Sequence, residues 1–113
     1  MARGFGGFPG GGNMQVLMQQ AQKMQKEMQR AQEEAEAFEA EGSAGGGAVK
    51  IRVTGKYEVL GVEIAREAVD PSDVEMLQDM VRLAANDAMT KIRKNMEEKL
   101  SRVTGGMNLP GLF

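Results

Sequence analysis

Cysteine and histidine are both absent from the 113-residue chain, and tryptophan is absent too. Without cysteine there are no disulfides, thiolate nucleophiles or Cys/His metal sites. Without histidine there is no imidazole acid–base chemistry. Uninterrupted apolar runs reach only three residues, as in Leu83-Ala84-Ala85, so no segment is suited to spanning a bilayer. The N-terminus carries Arg3 but no apolar stretch of the kind that marks a secretory signal. A cytoplasmic protein is the expectation. Excess positive charge is lacking as well: 14 basic and 16 acidic residues give a net charge of −2. Any affinity for nucleic acid must therefore come from sorting positive charge onto particular faces.

Glycine is plentiful, but mostly at the ends. Residues 1–12 hold six glycines and a proline, and residues 105–113 hold three glycines and a proline. Such tails gain little burial for the backbone entropy lost on ordering, so both are expected to be flexible. A single domain over residues 13–104 remains. A chain this small buries only about 65% of its unfolded surface, so association would help to stabilise it. Neither Gly10-Gly11-Gly12, Gly45-Gly46-Gly47 nor Gly55-Lys56 has the spacing of a phosphate-binding loop. The acidic runs Glu33-Glu34 and Glu97-Glu98 fall on polar helix faces, which suits solvation better than catalysis. An enzyme is not expected, nor a cofactor, a bound metal or a small-molecule substrate.

The segment from Met14 to Phe38 has the clearest pattern. Met14, Leu17, Ala21, Met24, Met28, Ala31, Ala35 and Phe38 follow alternating steps of three and four. That is a heptad stripe with no glycine or proline inside, and it predicts a long helix with Asn13 as its N-cap. So thin a stripe needs a partner, and Met14, Leu17, Ala21, Met24 and Met28 are the expected dimer seam. Next, Val49, Ile51 and Val53 alternate with Lys50, Arg52 and Thr54, which predicts a half-buried strand. A tight turn at Gly55-Lys56 leads into a second strand from Tyr57 to Ala65, with Val62 and Ile64 apolar and Glu63 outward. Residues 41–47 read as a turn or a weak edge strand. Asp70-Pro71 is expected to open a second helix, with Asp70 capping and Pro71 in the first turn. Its apolar series Leu77, Val81, Ala84, Ala88, Ile92, Met96, Leu100 and Val103 has helical periodicity.

Basic residues are sorted along these helices. Lys23, Lys26 and Arg30 lie within about 60° of one another on a helical wheel, opposite the heptad stripe. Gln15 and Gln19 extend that face, and such residues can meet phosphates or base edges. Lys91, Lys94 and Arg102 form a looser row on the second helix, where they also complement the helix dipole. Lys50, Arg52 and Lys56 suit an aggregation-resistant edge as well as a DNA contact. The terminal Phe5, Phe8 and Phe113 could stack on bases, but only Arg3 accompanies them.

The assembled pattern resembles the YbaB/EbfC family. The matching stretches are Gly12-Asn13-Met14, the run LMQQAQKMQKEMQ from Leu17, and the pair VKIRVTGK and VLGVEI. Asp73-Val74-Glu75-Met76-Leu77, Asp79-Met80-Val81, Ala85-Asn86-Asp87-Ala88 and Gly106-Met107 with Leu109-Pro110 complete the match. The resemblance implies an α+β subunit of order α-β-β-β-α with a small three-stranded antiparallel sheet and two long helices. Its third strand would fall near residues 39–44. The resemblance also implies an intimate homodimer with projecting helical arms. Such a protein would bind double-stranded DNA in the cytoplasm, associate with the nucleoid, organise it and affect gene expression. Asn86 and Asp87 are read as structural polar groups at a helix–helix or dimer junction. The expected DNA-binding residues are Lys23, Lys26, Arg30, Lys91, Lys94 and Arg102, contacting mainly phosphates. A coiled-coil module that binds a protein partner, without touching DNA, is the alternative.

Overall fold

The computed structural model describes residues 10–105, with side chains from Met14 to Thr104. The element order is α1 (Gly10–Ala37), β1 (Glu39–Ala44), β2 (Val49–Thr54), β3 (Val59–Ile64) and α2 (Val74–Gly105). The α-β-β-β-α order implied by the resemblance is therefore present. The expected terminal tails, with Phe5, Phe8 and Phe113, lie outside the described residues, except that Gly10–Gly12 and Gly105 are helical. Asn13 consequently sits inside α1 and does not cap it.

Asp73, not Asp70, starts α2. Its Oδ1 accepts the Met76 N–H at 3.2 Å, the bond of an N-cap. Asp70 closes a local turn by accepting from the backbone N–H and the hydroxyl of Ser72 at 2.9 and 2.7 Å. That competing turn is why the helix begins after Pro71 rather than at it.

The sheet is antiparallel in the order β1-β2-β3. Along β2, Val49, Ile51 and Val53 are buried while Lys50 and Arg52 are exposed, as period-two alternation requires. Along β1 the buried positions are Ala40 and Gly42. This strand has so little apolar bulk because α2 lies almost on its backbone. A Cβ added at Gly42 would overlap the Ala84 carbonyl oxygen and the Ala88 nitrogen. Ala84 and Ala88 are themselves fully buried, so small residues on both sides allow the close approach. The β2–β3 turn is tight: Tyr57 takes a φ of 64° and its N–H donates to the Thr54 carbonyl at 2.8 Å. Strand β3 accordingly begins at Val59, two residues later than the sequence pattern suggests.

Helix α2 packs on β1 and β2, and its outer half runs beside α1. The core is Ala40, Val49, Ile51, Val53, Ala84, Ala88 and Ile92. Its largest fully buried side chains are only Ile92, Val49 and Val53, a small interior. Ala31 and Ala35 are buried on α1, so the proximal end of the heptad stripe is used within the subunit. Among the described residues the distal end has no such cover, and residues 14–23 are all exposed. The molecule measures 80 × 23 × 18 Å.

Candidate nucleic-acid interface

Lys23, Lys26 and Arg30 are exposed on α1, together with Gln15, Gln19 and Gln22. Helical rise spreads the three basic residues over about 10 Å. A shallow groove between the helices brings Arg30 together with Arg102 of α2, alongside Glu27, Glu34 and Lys99. Lys99 Nζ reaches Glu34 Oε1 at 3.2 Å, which offsets one of the two acids. Arg102 thus joins the α1 stripe, an adjacency that no linear spacing reveals. None of Lys23, Lys26, Arg30 and Arg102 makes an ion pair among the described residues.

Lys91 and Lys94 are placed elsewhere. They line a depression with Phe38, Glu39, Glu41, Asn95 and Glu98, where the three acids outnumber the two lysines. Lys91 also has a structural task. Its ammonium donates to the Glu41 carbonyl at 2.8 Å and pairs with Asp87 Oδ2 at 3.4 Å. The same Asp87 oxygen accepts the Ser43 N–H at 3.1 Å. Two side chains of α2 thereby satisfy backbone groups on the outer border of β1. Asp87, expected from the sequence at a helix–helix or dimer junction, instead joins helix to strand.

The Ser43 amide is the main cause of a lowered Asp87 pKa, with Lys91 helping and slight burial opposing. A depressed folded-state value means that the contribution to stability is present above the ordinary carboxylate range. It is lost as the pH falls through the folded value. Asp87→Asn keeps an acceptor but loses the charge. Wild type should melt above this variant near neutral pH, and the gap should close below about pH 4. Thermal melts by circular dichroism at several pH values check this.

On the outer face of the sheet, Arg52 stands opposite Glu41 and Lys50 opposite Glu63. Basic and acidic residues alternate there, which suits a soluble face better than a phosphate track. Among the described residues, no group of three or more acidic side chains is arranged to hold a metal ion. Nor is any described helix long and apolar enough to cross a membrane.

The expected dimer seam is divided by position. Met14, Leu17 and Ala21 are exposed on the distal arm, while Met24 and Met28 are half-buried. A second exposed apolar surface, missed in the sequence, lies on β3. Val59, Val62 and Ile64 stand opposite the buried Val53, Ile51 and Val49 of β2, hence on the side of the sheet that α2 covers. But α2 stops short of β3, and the three are 57%, 51% and 40% exposed.

The described residues thus form a two-helix, three-stranded fold with an exposed basic stripe on α1. The chain belongs to the YbaB/EbfC DNA-binding family, which it matches over residues 10–107. That family is one of DNA-binding proteins, not of enzymes. A nucleoid-associated protein of Clostridium perfringens strain SM101 is 57% identical over 114 residues, covering 100% of both chains. Another, from Alkaliphilus metalliredigens, is 50% identical over 111 residues, covering 98% of this chain and 97% of its own. The fold is also that of an uncharacterized Helicobacter pylori protein in a crystal structure. The TM-score is 0.64 at 22% identity, covering 78% of this chain and 92% of the other.

Proposed function

We propose that this protein is a nucleoid-associated homodimer that binds duplex DNA mainly through phosphates, and so organises the nucleoid and affects gene expression. The observation that carries the reading is the exposed stripe Lys23, Lys26 and Arg30, joined by Arg102 at the helix pair. These side chains combine exposure with freedom from ion pairing among the described residues, as phosphate contacts require. Lys94 is a lesser contributor. Lys91 acts in the fold, because its ammonium is already engaged by Asp87 and the Glu41 carbonyl.

The dimer is supported by the small core and by β3. Three branched side chains continue the core sideways and, among the described residues, are left 40–57% exposed. A second copy meeting β3 about a two-fold axis would cover both sets at once. Both arms then remain free to engage DNA.

Replacing Lys23, Lys26 and Arg30 together by glutamine is the test. Up to three phosphate contacts per subunit disappear, and each flattens the log–log salt dependence by about 0.9. The variant should keep its helicity and mass but bind all duplex sequences more weakly, with a shallower slope. Mobility shifts across a salt series measure both quantities. Unchanged affinity and slope would clear this stripe of a DNA role.

A further inference from the structure

Among the described residues, nothing covers the apolar stripe of α1 beyond Met24. Met14, Leu17 and Met18 are 63%, 51% and 59% exposed, and Val16 is 49% exposed. The nine residues 14–22 contain no charge at all: four are large and apolar, four are glutamine and one is alanine. An exposed helix is ordinarily studded with charges, and their absence here removes the usual barrier to like-with-like contact. The stripe is also continuous with the seam that Ala31 and Ala35 already use against the antiparallel helix α2.

We propose that this distal stripe of α1 pairs antiparallel with the same stripe of a second copy belonging to a different DNA-bound dimer, so that the protein bridges two duplex segments. In that pairing Met14 lies beside Met24 of the second copy and Leu17 beside Ala21 of the second copy. The flanks set Met18 against Met18 and Gln20 against Gln20, so no like charges meet. The bridging rests on the DNA reading above. Its geometry follows from the arm itself. Lys23, Lys26, Gln15, Gln19 and Gln22 occupy the face opposite the stripe, so an arm laid on one duplex turns its apolar side away from it.

Four such layers, two of them containing alanine, fall short of the ~1,200 Å² that a stable interface buries. The contact is therefore weak between free dimers. It becomes effective when DNA holds many copies together, since tethering raises local concentration to about the millimolar range.

The test uses one duplex fixed on beads and a second, labelled duplex in solution. Full-length protein should retain the labelled duplex on the beads. Met14→Gln, Leu17→Gln and Met18→Gln together preserve net charge and helix propensity. That variant should bind a single duplex within about threefold of wild type, yet retain the second at least about tenfold less. Retention equal to wild type would overturn the proposal. So would a wild-type protein that shifts single duplexes but retains no second one. A wild type that shifts no duplex at all would overturn the DNA reading and the bridging with it, which separates the two failures. Because the chain has no cysteine, Gln20→Cys supplies an independent readout. Oxidative cross-linking should occur with long duplex present and not in its absence. Cross-linking in dilute, DNA-free protein would place the contact inside one dimer and overturn the bridging.

Discussion

Gly42→Ala should unfold or nearly unfold the protein, although it adds a single methyl group. The new Cβ would meet the Ala84 carbonyl oxygen and the Ala88 nitrogen, both main-chain atoms of a long helix. A flexible side chain could move aside, but a helix must shift as a body and drag its other contacts with it. Overpacking in a close-packed interior costs about 1–3 kcal/mol and occasionally more. With backbone on both sides, about 3 kcal/mol or more is expected here. For a domain of this size that lowers the melting temperature by more than about 10 °C. Gly61→Ala is the matched control. It lies two strands away in the same sheet, and nothing stands within 4 Å of the position its Cβ would take. Circular dichroism melts of the two variants should differ widely. Equal melting temperatures would show that α2 does not rest on β1 as described.

Val62→Glu should break the proposed dimer. Val62 stands opposite the buried Ile51 yet is itself 51% exposed. In the isolated subunit the substitution places a carboxylate where solvent already reaches, so the cost to the monomer fold is small. In the dimer it buries an unpaired charge from each copy near the two-fold axis. Each costs several kcal/mol unless it is protonated or hydrated. Dissociation should strengthen by at least about a hundredfold, which is ~2.7 kcal/mol. Sedimentation equilibrium reads this directly, as a fall from twice the 12.2 kDa subunit mass towards one. If the subunit core cannot stand alone, the same change appears as loss of helicity that returns at higher protein concentration. A variant with wild-type mass and stability would move the dimer contact off β3 and back to the α1 stripe.

These two positions also show where the sequence was legible and where it was not. Helix α2 was readable because Ala84, Ala88 and Ile92 recur at helical spacing, and all three are buried. Strand β1 was faint for the reason that makes Gly42 sensitive. Its inward residues are Ala40 and Gly42 because a helix backbone lies on them, and small residues carry little strand signal. Alternation along β3 told which side Val62 and Ile64 share, but not whether the same chain covers that side. The heptad stripe likewise marked an apolar face without saying whose helix meets it. Its proximal alanines turned out to face α2. For the basic residues, wheel geometry gathered Lys23, Lys26 and Arg30, whereas the company of Arg30 and Arg102 depends on how the helices pair.

The side-chain clamp on β1 bears on how far assembly can go. A sheet offers two borders, and a copy able to pair through both would add to its neighbours without limit, as fibres do. Here Lys91 and Asp87 fill hydrogen-bonding positions along one border, at the Glu41 carbonyl and the Ser43 amide. Among the described residues, the border at β3 carries no such side-chain bonds. In the proposed dimer a sheet with one open border pairs through it only once, so the pair of charges that ties α2 to β1 would also keep sheet from adding to sheet. The protein can then keep branched apolar side chains on display for its partner without polymerising through its sheets.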